Sequence, residues 1–241
     1  MLLDKFHNKF IVKGILVAQT PIHIGAGEEG FDPIQADNAV IRDSNGDPYI
    51  PGSSLKGVLR SYVETLLKSI GKDIIDKNYN SCFVVNNPCL SGKDMEVIRG
   101  IKEKYKRNNT IENADLLIAE EIYNHLCTVC RIFGSSYFAS KLTINDCKLK
   151  GEKAYIEKRD GVGIDRDTGT AADKVKYNYE QVAAGTQFEF YMTVDNLEPE
   201  YEDLLRLIVK VLENGDLRVG GKTSVGLGSV KLTDTGIYKI D

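Results

Sequence analysis

Residues 19–60 read QTPIHIGAGEEGFDPIQADNAVIRDSNGDPYIPGSSLKGVLR, and this stretch constrains the fold more than any other. Asn45-Gly46 lies between NAVIR at 38–42 and PYIP at 48–51. Both turn residues tolerate positive φ, so a hairpin is predicted, with Asp43 shaping its turn. Pro51-Gly52-Ser53-Ser54 then ends the strand and offers hydroxyl N-caps. Leu55, Val58, Leu59, Tyr62, Val63, Leu66 and Leu67 recur at three- and four-residue spacing, which predicts a helix with one apolar face. Lys56 and Arg60 flank that face near the helix start.

The flanking chain extends the pattern. Residues 10–18 (FIVKGILVA) are rich in β-branched and large apolar side chains and read as a first strand. Residues 71–110 are polar and carry Cys82 and Cys89, and a helical pattern follows over 113–126. Strands are predicted at 141–150, 186–194 and 225–232, with a helix opening at Pro199 and closing at Asn214-Gly215. This order predicts an α+β chain with a ferredoxin-like or RRM-like core. Residues 1–69 and 136–241 form the core, and 70–135 an inserted, partly helical lid.

Composition narrows the function classes. The net charge is −4, with 31 Lys and Arg against 35 Asp and Glu. That opposes bulk nucleic-acid binding but allows a local basic groove. No run approaches the roughly 18 apolar residues of a membrane span, and MLLDKFHNKF lacks the order of a signal peptide, so a cytoplasmic protein is expected.

Several motifs carry chemistry. Gly25 to Gly30 match G-x-G-x-x-G, but Asp32-Pro33 follow where a dinucleotide site needs a helix. Gly221-Lys222-Thr223 resembles a P-loop end, yet Asp216 stands where its first glycine belongs. His23 is read as a structural histidine at a strand end rather than a proton carrier. Asp37 is either a turn former or a carboxylate able to hold a divalent cation or accept a proton, with Asp32 and Asp43 as rivals. Lys56 and Arg60 make either a phosphate site near a helix N-terminus or, through Arg60 and Glu64, a surface pair. Cys82, Cys89, Cys127 and Cys130 form two pairs suited to tetrahedral Zn2+ in a structural role, with His125 as a possible substitute ligand. A redox dithiol at Cys127-x-x-Cys130 and buried unliganded thiols are the alternatives. Cys147 is expected in the core.

Five segments together resemble the RAMP superfamily: HIGAG at 23–27, DNAVIRD at 37–43, YIPGSSLKGVLR at 49–60, IDRDTGTA at 164–171 and LRVGGKTSVGLG at 217–228. The resemblance is to the backbone subunit of type III CRISPR effector complexes and leaves out only about residues 68–124. It implies a subunit whose copies stack along a CRISPR guide RNA, beside other effector subunits, and an endoribonuclease that cuts complementary target RNA at regular intervals. Asp37 would be catalytic, with Mg2+. Lys56, Arg60, Lys222 and the glycines Gly220, Gly221 and Gly226 would hold the guide. Arg166 and Lys174 would lie on a protruding thumb hairpin at 159–181. The zinc-stapled lid does not come from the resemblance. An RNP1 run of stacking aromatics is missing, so base reading is expected from guide pairing rather than from the sheet face. The rivals are a non-catalytic RAMP subunit and a zinc-stapled redox or interaction protein.

Overall fold

A computed structural model describes residues 1–26, 38–69, 79–83, 87–90, 95–106 and 114–241. Strand β1 (Lys9–Ala18) alternates, burying Phe10, Val12, Leu16 and Ala18 and turning Lys9, Ile11, Lys13 and Val17 to the other face. It pairs antiparallel with β5 (Gln187–Asp195) on one side and β7 (Ser229–Ile240) on the other. Beyond β5 lies β2 (Leu142–Ile144), and beyond β7 lies β6 (Leu217–Arg218). The order is β2-β5-β1-β7-β6. Helix α1 (Gly52–Ser69) falls between β1 and β2 in the chain, and α5 (Glu202–Asn214) between β5 and β7. Since β5 is antiparallel to both β1 and β2, each helix joins two parallel strands that have a third between them.

Both helices bury their apolar stripes in one core. Leu55, Leu59, Val63 and Leu67 of α1, with Leu204, Leu205, Ile208, Val209 and Leu212 of α5, join Phe188, Phe190, Met192 and Val194. Helix α5 stops where Gly215 takes φ 80° and donates its N–H back to Leu212, the C-cap predicted at Asn214-Gly215. Helix α1 starts differently from expectation. Ser53 and Ser54 lie within the helix, and the Gly52 N–H is capped by Asp146 Oδ1 at 2.8 Å. A Cβ on Gly52 would stand 2.1 Å from the Ile144 carbonyl oxygen, so glycine is needed for close approach to β2.

Three more elements differ from the sequence reading. The helix predicted over 113–126 is α3 (Ala114–Asn124), but a second helix that was not predicted, α4 (Thr128–Phe133), follows it, capped by Cys127. The strand predicted over 141–150 is continuous only at β2, with single bridges at Cys147 and Leu149. Strand β7 runs on to Ile240, past the predicted end at Leu232, because its outer half pairs with Lys9–Lys13 of β1. Strands β3 (Ile156–Ile164) and β4 (Ala171–Val182) form a separate two-stranded sheet, the hairpin predicted around 159–181. Among the described residues no helix is long and apolar enough to cross a membrane.

α2 (Met95–Lys106), α3 and α4 precede β2, and α3 is tied to the sheet at a buried ion pair. The Lys141 side chain is fully buried and donates to both Glu198 carboxylate oxygens (2.9 and 2.8 Å), the Asn196 carbonyl (2.9 Å) and the Tyr123 hydroxyl of α3 (3.1 Å). Burial alone would raise the Glu198 carboxyl, but hydrogen bonds led by Lys141 hold it below the usual carboxylate range. Removing one partner leaves the other charge buried and unpaired. Glu198→Gln should therefore cost about 3–5 kcal/mol in denaturant unfolding at neutral pH. A depressed pKa adds stability that is present above the ordinary carboxyl value of about 4.3 and lost as pH falls through the lower folded value. The variant should show a flatter acid limb than the native chain.

Candidate nucleic-acid interface and cysteine cluster

Residues 21–26 and 38–42, strand β4 and the loop 219–228 meet on one surface. Ile22 and Val182 exchange backbone hydrogen bonds at 2.9 and 2.8 Å. Asn38 pairs with Tyr179, and its carbonyl accepts the Glu180 N–H at 3.0 Å. The Glu180 carboxylate accepts from the Val40 N–H at 3.2 Å and from Arg42 at 3.0 Å. Asp43 Oδ1 accepts the Asn45 and Asp47 N–H groups at 2.9 and 3.1 Å, the turn role predicted for it. Asp37 and the rest of residues 27–37 lie outside the described residues. Its chain neighbour Asn38 is thus the described point nearest to it in sequence.

His23 is buried. Its Nδ1 lies 2.7 Å from the Glu180 carbonyl, and its ring meets Tyr179 edge-on at 5.6 Å. A carbonyl only accepts, so Nδ1 carries a hydrogen. These contacts fit the structural reading. The His23 carbonyl accepts the Gly221 N–H at 2.8 Å, and the Pro21 carbonyl accepts that of Gly228, also at 2.8 Å. Gly220 has φ 83°, and a Cβ there would lie 2.2 Å from the His23 oxygen. Gly226 turns at φ 97°.

The predicted cations have different surroundings. Lys222 has φ 58°, and its ammonium sits 4.6 Å from the Tyr177 ring centre and 4.4 Å from that of Tyr179. Lys56 donates to Ser140 Oγ at 2.7 Å, and burial, helped by nearby Arg60, lowers its pKa. Arg60 donates to Glu64 (2.8 Å), to the Gly134 carbonyl (2.9 Å) and to Cys130 Sγ (3.2 Å). Arg166 is exposed in the β3–β4 turn, and Lys174 lies on β4, in the same hairpin.

The four cysteines come together. Their sulfurs all lie within 4.8 Å of one another, and Cys82 and Cys130 approach to 3.5 Å. Sulfurs 2.3 Å from a tetrahedral ion stand about 3.8 Å apart, so the donor set fits a metal ion. Two sulfurs come from residues 82 and 89 and two from the start of α4. Cys127 is pulled down to about 4 by hydrogen bonding from the Cys130 thiol and the N–H groups of Cys130 and Cys82. His125 lies outside this group and lines an adjoining cavity of about 630 Å³ with Cys89, Arg131 and Tyr201. Cys147 is fully buried, and burial pushes its thiol up to about 12, as befits a core residue.

Two features were not read from the sequence. One is the tyrosine pair under Lys222, signalled only by the alternation Tyr177-x-Tyr179 in β4. The other is the bond from Arg60 to the cysteine cluster, which no sequence spacing announces.

Comparisons with known proteins agree with this architecture. The family profile described as the RAMP superfamily matches residues 15–231. A protein of Methanocaldococcus jannaschii named CRISPR system Cms endoribonuclease Csm3 is 29% identical over 239 residues, covering 94% of this chain and 79% of its own length. A protein of the same name from Methanothermobacter thermautotrophicus is 24% identical over 259 residues, covering 94% and 84%. A match that begins within β1, ends within β7 and takes in every element between them, the hairpin and the glycine-rich loop included, covers most of the chain: the chain belongs to the RAMP superfamily.

Proposed function

We propose that this chain is a guide-RNA-binding backbone subunit of a type III CRISPR interference complex that cleaves guide-complementary target RNA. The observation that carries the reading is that both relatives named as CRISPR endoribonucleases align with nearly the whole chain. It gains support from the packing of residues 21–26 and 38–42, the hairpin and the glycine-rich loop into one surface. Copies of the chain would line up on the guide in the cytoplasm, beside other effector subunits. The strand order supports reading the core as ferredoxin-like, with 70–135 as a lid inserted between α1 and β2 and the β3–β4 hairpin as a thumb.

Asp37 would supply the carboxylate for cleavage, and Asn38 would fix its place in the chain against β4. Phosphodiester cleavage requires a deprotonated nucleophile and relief of developing negative charge. A carboxylate serves either need, by accepting a proton or by holding Mg2+. Lys222, Arg166 and Lys174 would meet RNA phosphates, and Gly220, Gly221 and Gly226 let the loop run close to an RNA backbone. Lys56 and Arg60 would reach guide phosphates only by exchanging their present partners.

The four cysteines would hold a structural Zn2+, stapling residues 82 and 89 to α4. Four thiolates around a divalent ion keep a net negative charge, and the Arg60 guanidinium at the Cys130 sulfur offsets part of it.

In a complex reconstituted with guide and labelled complementary RNA, regularly spaced cuts should appear in Mg2+ and vanish in Asp37→Ala with target binding retained. Cuts that survive the substitution would assign the chain a non-catalytic RAMP role. Metal analysis of purified native protein should find about one Zn per chain, the stoichiometry of one four-thiolate site. Cys127→Ser should lose that metal and melt at lower temperature. A metal-free native chain with a reactive Cys127 thiol would support the redox alternative instead.

A further inference from the structure

Beside the glycine-rich loop the β3–β4 hairpin walls an open cavity of about 500 Å³, bounded by Arg159, Gly161, Tyr177, Tyr179, Lys222 and Val225. Its floor is aromatic. Tyr177 and Tyr179 alternate onto the same face of β4, with ring centres 6.3 Å apart and planes 25° apart. Tyr177 lies across Gly161 of the paired strand, where a Cβ would stand 2.2 Å from its ring. That glycine lets the ring lie flat. Tyr179 is nearly buried against His23, whereas Tyr177 is 41% exposed, and Val225 at the rim is 67% exposed.

Lys222 completes the arrangement. A non-glycine residue at φ 58° is uncommon, and such backbone clusters at functional sites. Here it brings the ammonium over both rings. Among the described residues lining the cavity, Arg159 and Lys222 outnumber Asp160. A planar aromatic surface with cations beside it suits a nucleobase carried on a phosphate, because every base has a face to stack and every nucleotide an anion to pair.

We propose that this cavity is a nucleobase-stacking subsite for single-stranded RNA. A base would lie on Tyr177, and the Lys222 ammonium it displaces would move to the phosphate of that nucleotide. The inference rests on the RNA-binding reading and adds residues that reading does not use. It predicts two separable losses.

The test uses the full chain and a labelled short oligouridylate, with affinity measured by fluorescence anisotropy across a salt series. Tyr177→Leu should weaken binding by about tenfold, within the range for one lost stacked base, and leave the salt dependence unchanged. Tyr177→Phe should bind as the native chain does. Lys222→Met should reduce the slope of log affinity against log salt by about 0.7, the effect of one lost contact to single-stranded phosphate. A 5-iodouridine-substituted probe should crosslink to Tyr177 in the native chain, which tests the site without any substitution. Native-like binding by Tyr177→Leu together with no crosslink at Tyr177 would overturn the subsite while leaving RNA binding intact. So would a loss in Tyr177→Leu that tracks a lowered melting temperature, with no crosslink in the native chain. A native chain that binds no oligonucleotide would sink the RNA reading and this subsite with it.

Discussion

The close approach of loop 219–228 to the carbonyls of Pro21 and His23 is the constraint on which the surface depends. Two backbone hydrogen bonds and a glycine with no room for a Cβ hold the loop there. The same His23 reaches through its ring to the Glu180 carbonyl and to Tyr179. Glu180 in turn grips Asn38, Val40 and Arg42. Segments far apart in the chain thus share one rigid patch built largely from backbone contacts. A substitution at Gly220 would push the loop off His23 and disturb Lys222 with it. Backbone-to-backbone anchoring of this kind tolerates wide change in side chains, which suits a family whose members share as little as a quarter of their residues.

Much of this was legible in the sequence where short-range chemistry decides the outcome. The Asn45-Gly46 turn, the α1 stripe, the Gly215 cap and the alternation of β1 each follow from a few adjacent residues. The cysteine pairs announced themselves by residue type, although the spacing of Cys82 and Cys89 was loose, and the four sulfurs do meet. What escaped depends on tertiary neighbours. The cap of α1 comes from Asp146, 94 residues away. The split between α3 and α4 is set by Cys127 taking an extended conformation to cap the second helix, and its sulfur is engaged by Cys82 and Cys130. Lys222 could be recognised as a cation, but its seat over two tyrosines requires the hairpin to pack beside the loop.

The cysteine cluster and the buried ion pair serve one mechanical purpose by different chemistry. Lys141 and Glu198 join Tyr123 of α3 to the segment between β5 and α5. Arg60 joins α1 to Cys130 of α4. Helices α3 and α4 are therefore fastened at two charged points as well as by apolar packing. Charged contacts have narrow geometric tolerance. They fix orientation where apolar contact alone would permit sliding.

The margins of the central sheet have a consequence for how copies of the chain can meet. Among the described residues it ends on β2, three residues long, and on β6, two residues long. Short edge strands offer little unpaired backbone for another chain to extend, a common protection against uncontrolled strand addition. A row of such subunits would be joined by loops and side-chain surfaces rather than by a continuous ladder of strands. Its length would then be set by the template it lies on, because the sheet margins carry little tendency to propagate by themselves.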